Sequence, residues 1–290
     1  MTPQPNTSLH LPSPAKLNLF LHVLGRRNDG YHNLQTLFQF LDYSDEMVFT
    51  ATDQPDISLT TVFPGLASQD NLIYKAAVAL QQHTDCQQGA VISIEKKLPM
   101  GGGLGGGSSN AATTLLGLNK LWKTHCSIEE LSKIGVILGA DVPVFIQGQS
   151  AWAEGIGEQL KPVKVPEPWF LVLTPNCHVD TGEIFRNKHL TRDTSPIRIA
   201  AFLTKGGKND LQDVVCNRYP EVRRALNLLG KFGDAKMTGS GSCVFCSFNS
   251  ETEAQNVYHQ IQHEFNGFIA KGHNFSITHR ALEKLNENDI

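Results

Sequence analysis

Six of the seven residues from Gly101 to Gly107 are glycine, and no other stretch limits so sharply what the chain can form. Glycine loses more backbone freedom on ordering than any other residue, so such a run persists only where bare backbone is needed. Val91-Ile92-Ser93-Ile94-Glu95 before it reads as a strand, and the pattern from about Ser108 to Leu121 after it reads as a helix. Strand, glycines and helix start together describe an anion site, where free N–H groups and the helix dipole converge on phosphate oxygens. Ser108 and Ser109 fall where a hydroxyl caps the helix, binds phosphate or ligates Mg²⁺. A flexible linker would lack both the strand and the patterned helix. A Walker loop needs Lys after its last glycine, and Ser108 stands there instead. Gly101, Gly103 and Gly106 satisfy the dinucleotide spacing, but no acid closes a following strand between Trp122 and Ser127.

The surrounding chain is ordinary for a globular protein: 290 residues, 40% apolar, 18% charged, with a net charge of -3. No dense Lys/Arg tract appears, which argues against a nucleic-acid partner. No apolar run approaches the ~20 residues of a membrane span. Met1 to Pro14 is polar and proline-bearing, unlike a secretory signal or transit peptide. Six cysteines are too sparse for a disulfide scaffold and read as reduced thiols of a cytoplasmic protein. Cys243 and Cys246 form a lone C-x-x-C inside an apolar run, so we read them as core rather than as a zinc or redox motif.

Alternation from Lys16 to Val23 predicts a strand, with Leu17, Leu19, Leu21 and Val23 on one face and Lys16, Asn18, Phe20 and His22 on the other. Asn28-Asp29-Gly30 predicts a turn, and strands follow over 34–41, 47–50 and 57–61. Asp70 is placed to cap a helix over 71–82, with Ile73, Ala76, Ala77 and Leu80 inward. Ser127 and Glu130 form a capping box for a helix ending near Gly139. Pro162, Pro166 and Pro168 precede a strand at 170–173 and suggest a domain boundary at about residue 166. Beyond it the pattern gives helices near 181–187, 211–215, 221–229 and 251–265, with a strand-loop-strand over 236–248. Antiparallel-looking strands with helices grouped between them indicate an α+β class.

Five segments occur in order: Ser13-Pro14-Ala15-Lys16-Leu17-Asn18-Leu19, Gly30-Tyr31-His32, Pro99 through Ala112, Leu138-Gly139-Ala140-Asp141-Val142-Pro143, and Lys236-Met237-Thr238-Gly239-Ser240-Gly241. The glycine loop resembles the phosphate loop of the galactokinase, homoserine kinase, mevalonate kinase and phosphomevalonate kinase (GHMP) superfamily. Together the five resemble the branch that phosphorylates a cytidine-diphosphate-linked methylerythritol in the non-mevalonate isoprenoid route. The resemblance implies a two-domain GHMP-kinase-like fold, an N-terminal ATP-binding domain over 1–165 and a C-terminal domain over 166–290, with the active site in the cleft between them.

By that resemblance Asp141 is the catalytic base, since an alcohol attacks phosphorus poorly unless its proton is accepted. Its place two residues before Pro143 equally suits a helix cap. Lys16 matches the active-site lysine, close enough to keep Asp141 ionised and to steady the phosphoryl charge; otherwise it reads as a solvated surface lysine. Asn18 would orient the substrate or a phosphate oxygen. Pro99, Met100, Gly101, Gly102, Gly103, Leu104, Gly105, Gly106, Gly107, Ser108 and Ser109 match the ATP loop, with Asn71, Leu72 and Lys96 on the adenine side. Tyr31 and Phe185 match a sandwich around the cytosine, with His32 on its 4-amino edge. Without the resemblance Phe185 reads as a core residue of its helix, and Thr181 fits either substrate contact or an N-cap. Gly239, Ser240 and Gly241 close over substrate phosphates or simply turn a hairpin. Mg²⁺ is expected chiefly on ATP, with no protein ligand set placed, and the chain is expected as a monomer or weak homodimer. Another superfamily kinase would have no use for the aromatic clamp, and a non-catalytic nucleotide-binding module would have no use for Lys16 and Asp141.

Overall fold

The computed structural model describes residues 8–288. Met1–Thr7, part of the N-terminal segment read above as neither signal nor transit peptide, lie outside the described residues. Among the described residues ten strands run in chain order: β1 (Ser8–Arg26), β2 (His32–Thr52), β3 (Ile57–Leu59), β4 (Gly89–Glu95), β5 (Ala151–Glu154), β6 (Gln159–Pro162), β7 (Trp169–Leu173), β8 (Lys236–Met237), β9 (Val244–Phe248) and β10 (Gly267–His273). The helices are α1 (Leu72–Thr84), α2 (Gly106–Leu121), α3 (Ile128–Leu138), α4 (Val142–Gln147), α5 (Thr181–Arg186), α6 (Ile199–Lys205), α7 (Gln212–Arg218), α8 (Pro220–Leu229), α9 (Glu251–Ile261) and α10 (Ile277–Asn288).

The strands join one mixed sheet with β3-β4-β2-β10-β7-β9-β8 along its main path. β1 flanks β2, and the β5–β6 hairpin attaches to β2 at Thr36–Phe38. β1 begins eight residues earlier than the alternation suggests, carrying buried Leu9 and Leu11. Pro12 and Pro14 make that stretch look irregular, yet an edge strand that pairs on one side tolerates proline. Bulges between Pro14 and Lys16 and between Asn18 and Leu21 break the alternation of β1. As a result Leu21 and Phe20 are both buried, in different clusters. β2 is one strand rather than the two expected over 34–41 and 47–50. Its polar interruption at Asp42–Glu46 stays paired because Asp45 finds partners from other elements.

One core packs α1, α2, α3 and α4 on the β1–β2–β4 face, with Phe38, Phe40, Phe49 and Leu115 at its centre. A second packs α5, α7, α8 and α9 on β7–β9. A smaller cluster containing Leu17, Leu98, Leu104, Phe170 and Cys243 sits between them. Leu104 is the one side chain within the glycine tract, and burying it stabilises the loop by about 1.5–3 kcal/mol. Cys243 and Cys246 are buried free thiols on and beside β9, as the apolar run suggests. The second half does not keep to itself: β10 returns to pair with β2, and α10 packs on β1.

Local signals set several boundaries. Ser127 and Glu130 complete the capping box of α3. The cap of α1 is Asn71, whose side chain accepts from the Ile73 N–H, and not Asp70, which ends a preceding 3₁₀ turn. Ile73, Ala76, Ala77 and Leu80 face inward as expected. Helix α2 starts at Gly106 rather than Ser108, so the tract itself supplies the first helical turn.

Candidate active site

A cavity of about 550 Å³ opens above the third cluster, between the glycine tract, β1, α5 and the Gly239–Ser240 turn. Its size lies within the range of small-molecule sites. Lys16, Asn18, Asp141, Lys96, Asn71, Leu72, every residue from Pro99 to Ser108, Thr181, Phe185, Gly239 and Ser240 line it. Ser109 and Gly241 stand behind the wall, and Tyr31 and His32 lie outside the lining.

Lys16 is 2% exposed and not the solvated lysine its position suggests. A buried ammonium is tolerable only when its donors are paired. Lys16 Nζ donates to Asn18 Oδ1 at 2.6 Å and Gly103 O at 3.1 Å, and meets Asp141 Oδ2 at 3.1 Å. It also lies 5.2 Å over the Phe38 ring. Asn18 is fixed in turn: Nδ2 donates to Thr36 Oγ1, and its backbone N–H donates to Thr238 Oγ1. Asp141 occupies the N-cap position of α4, but its side chain makes no cap bond. Its carboxylate turns to Lys16 instead and remains 34% exposed at the cavity.

The tract is pinned from below. Lys16 N–H donates to Leu104 O, Cys243 N–H to Gly102 O, and Thr238 Oγ1 to Gly103 O. At Gly103 a Cβ would collide with the Thr238 carbonyl, and at Gly105 it would stand 2.8 Å from the Phe145 ring and 2.9 Å from Lys16 Cε. Some of the glycines are therefore required by packing against the Thr238–Gly241 turn and Lys16, a demand the sequence does not reveal. Above, the first helical bond of α2 is Ser109 N–H to Gly105 O. The N–H groups of Gly106, Gly107 and Ser108 thus have no helical acceptor, and all three residues line the cavity, which suits an anion site.

Ser109 is buried, its hydroxyl accepting from Ser13 Oγ at 2.9 Å. Behind it the fully buried Asp45 collects the N–H groups of Lys97 and Leu98, Asn110 Nδ2, and Lys96 Nζ at 2.5 Å. This holds the Lys96 ammonium beside the start of α2. Asp45 and Thr36 lie outside the segments quoted above, and Ser13, Asn110 and Thr238 lie within them without any role being assigned from the sequence. Phe63 and Leu66 add apolar lining near Asn71 and Leu72.

At the other end Thr181 Oγ1 and Ser240 Oγ share a hydrogen bond of 2.6 Å, while Asp180 caps α5. Thr181 is thus a lining hydroxyl and not the cap. Phe185 is half-buried, its ring 5.1 Å from that of His32 with planes inclined by 30°. His32 is buried; burial, then the Arg192 and Arg26 charges, hold its imidazole below the usual histidine range. Tyr31 is 60% exposed beside it.

Residues 71–149 match the GHMP kinases N terminal domain, and residues 188–267 match the GHMP kinases C terminal family. A 4-diphosphocytidyl-2-C-methyl-D-erythritol kinase of Pseudomonas syringae pv. syringae (strain B728a) is 55% identical over 284 residues, covering 98% of this chain and 99% of that protein. One of Pseudomonas aeruginosa (strain LESB58) is 52% identical over 277 residues, covering 96% and 98%. A crystal structure of 4-(cytidine 5'-diphospho)-2C-methyl-D-erythritol kinase superposes with a TM-score of 0.79 at 30% identity, covering 91% of this chain and 99% of the other. A mevalonate kinase crystal structure gives 0.67 at 14% identity, covering 92% and 99%, which speaks for the fold alone. The chain belongs to the GHMP kinases, a two-domain α+β family, and within them to the 4-diphosphocytidyl-2-C-methyl-D-erythritol kinases.

Proposed function

We propose that this chain transfers the terminal phosphoryl group of ATP to the C2 hydroxyl of 4-diphosphocytidyl-2-C-methyl-D-erythritol, giving the 2-phosphate and ADP, in non-mevalonate isoprenoid precursor synthesis. The observation that carries the reading is the Lys16–Asp141 pair, set against a glycine tract that lines the same cavity and leads into the unpaired N–H groups at the start of α2. Phosphoryl transfer asks mostly for positioning and charge stabilisation. Gly106, Gly107 and Ser108 N–H, the α2 dipole and Lys96 supply an electropositive cradle for ATP phosphates. Asp141, with no capping duty, accepts the C2 hydroxyl proton as the new O–P bond forms. Lys16 holds that carboxylate in place, and its ammonium is directed at the charge that spreads over the moving phosphoryl oxygens.

Leu72, Phe63, Leu66 and Met100 offer an apolar bed for the adenine. Asn71 is engaged as a helix cap, so its part there is chiefly to shape the wall. Thr181, Ser240 and Gly239 suit the substrate diphosphate. Phe185 and the exposed Tyr31 are proposed as faces of a base clamp, with His32 at the edge of the base. Among the described residues no group of three or more His, Cys, Asp or Glu is arranged to hold a metal. Mg²⁺ would sit chiefly on the ATP phosphates and would supply charge neutralisation there, with the hydroxyl of Ser108 at the start of α2 as the candidate to assist. We place the domain boundary at the proline stretch near residue 166, since most of the first core precedes it and most of the second follows it, although Leu21 and Val23 join the second core and α10 packs back on the first. Among the described residues no helix is long and apolar enough to cross a membrane, in keeping with the cytoplasmic location proposed here. The test is ADP release from ATP and Mg²⁺ with candidate acceptors offered singly. Release is expected with the cytidine-linked methylerythritol, and release only with mevalonate or homoserine would overturn the assignment.

A further inference from the structure

Arg192 does not line the cavity, yet its guanidinium engages four protein acceptors. Nη2 donates to the Phe185 and Asn187 carbonyls at 2.7 and 2.8 Å, at the end of α5. Nη1 donates to Leu190 O at 3.1 Å, and Nε donates to His32 Nε2 at 3.1 Å. One planar side chain thus ties the helix that carries Phe185 to the ring of His32, which stands at the start of β2 in the other half of the chain.

The last of these bonds has a chemical consequence. Guanidinium only donates, and a neutral imidazole has one N–H and one acceptor nitrogen. With Nε2 accepting from Arg192, the single ring proton must sit on Nδ1. A second proton has no place on Nε2 while that atom accepts from the guanidinium, and burial and the neighbouring Arg192 and Arg26 charges lower the ring's affinity for one. Nδ1 has no protein partner among the described residues and is not among the buried atoms left unpaired, so it opens to solvent beside Phe185.

We propose that Arg192 is a positioning residue for the base end of the site, fixing His32 as the Nδ1–H tautomer so that it offers a donor, never an acceptor, to the substrate. The proposal rests on the base-clamp reading above and sharpens it. A donor cannot serve the 4-amino group of cytosine, itself a donor, which moves His32 from the amino group to the neighbouring acceptor N3. Uracil carries N–H at position 3, so the same donor repels it there. Arg192 would thereby set the preference for cytidine without touching the base.

Histidine-labelled full-length protein gives a direct test by ¹³C and ¹⁵N NMR, with the His32 signals identified by their loss in His32→Gln. Wild type is expected to show the Nδ1–H tautomer, and Arg192→Met to move toward Nε2–H, the form a free imidazole favours in water. Kinetics with cytidine- and uridine-linked substrates should show Arg192→Met losing about tenfold of the cytidine preference, in KM rather than kcat. Arg192→Lys, which retains a donor for Nε2, should recover part of it. Nε2–H in a wild type that prefers cytidine overturns this proposal alone. An unchanged preference in a folded Arg192→Met whose tautomer has shifted does the same. A wild type indifferent to the base overturns the base clamp as well. The wild-type spectrum decides the tautomer even where the methionine variant does not fold.

Discussion

Replacing Gly105 by alanine probes how tightly the phosphate loop and Lys16 are built together. Gly105 stands at the start of α2 with φ 74° and ψ 17°, in the left-handed region. A β-carbon there costs about 1–2 kcal/mol in backbone energy. It would also stand 2.8 Å from Phe145 Cζ and 2.9 Å from Lys16 Cε. Neither neighbour yields easily: Phe145 is 3% exposed and packs edge-on against Phe40, and Lys16 is held by three polar partners. Overpacking of this kind typically costs about 1–3 kcal/mol, while the stiffer unfolded chain returns about 0.4–1. The net loss is about 2–4 kcal/mol, or about 3–7 °C in Tm for a chain of this size. If Lys16 moves, its contact with Asp141 lengthens and turnover falls too. Gly107→Ala is the matched control: its Cβ would meet only Leu72 at an ordinary 3.5 Å, in helical backbone. It should be neutral or up to about 1 kcal/mol more stable, while raising KM for ATP because the methyl stands in the cradle. Calorimetric melting and steady-state kinetics on both variants decide. A Gly105→Ala protein with wild-type Tm and turnover would refute the packing reasoning.

Asp45→Asn turns an amide N–H₂ toward Lys96 and Asn110, which are already donors, and should cost about 2–4 kcal/mol; an unchanged urea midpoint would remove Asp45 as an anchor. His22, His32 and His279 are each held below the ordinary histidine value of about 6.5, chiefly by burial. As pH falls through 6.5 the unfolded chain takes up protons before the folded one, so stability is full above 6.5 and declines below it. Tm should therefore be lower at pH 5.5 than at pH 7.5, and equal values would contradict the burial of these rings. Burial pushes the Cys243 thiol up to about 12 and Cys246 to about 11. Both should escape iodoacetamide in the native protein at pH 8, and alkylation of either as fast as in denaturant would count against their place in the core.

Features carried by neighbours in sequence were legible. The Ser127–Glu130 capping box, the inward face of α1 and the strand–glycine–helix passage all declare themselves within a few residues. Lys16 and Asn18 were readable as sharing a face, but the burial of Lys16 depends on Gly103 and Asp141, far along the chain. Asp45 fell unremarked between the two strands expected at 34–41 and 47–50, because its partners lie some 50 residues and more away. Asp141 and Thr181 both resembled caps. Only tertiary contacts show that one carboxylate turns to Lys16 and that Asp180 does the capping in α5. The glycines were read as a phosphate cradle, and the structure adds a second demand, the close approach of the Thr238–Gly241 turn and Lys16. Arg192 was invisible for the same reason, its role being defined by carbonyl groups and one imidazole nitrogen.

The central claim, that the Asp141 carboxylate accepts the hydroxyl proton, is tested most directly by turnover of Asp141→Asn. Asn18 and Gly103 still hold Lys16 in that variant, so the fold and the cavity should persist. Calorimetry should find ATP and the cytidine-linked acceptor bound much as in wild type, while kcat falls by roughly 10²–10⁴. Turnover close to wild type with both substrates bound would contradict the account and take Asp141 out of the chemistry.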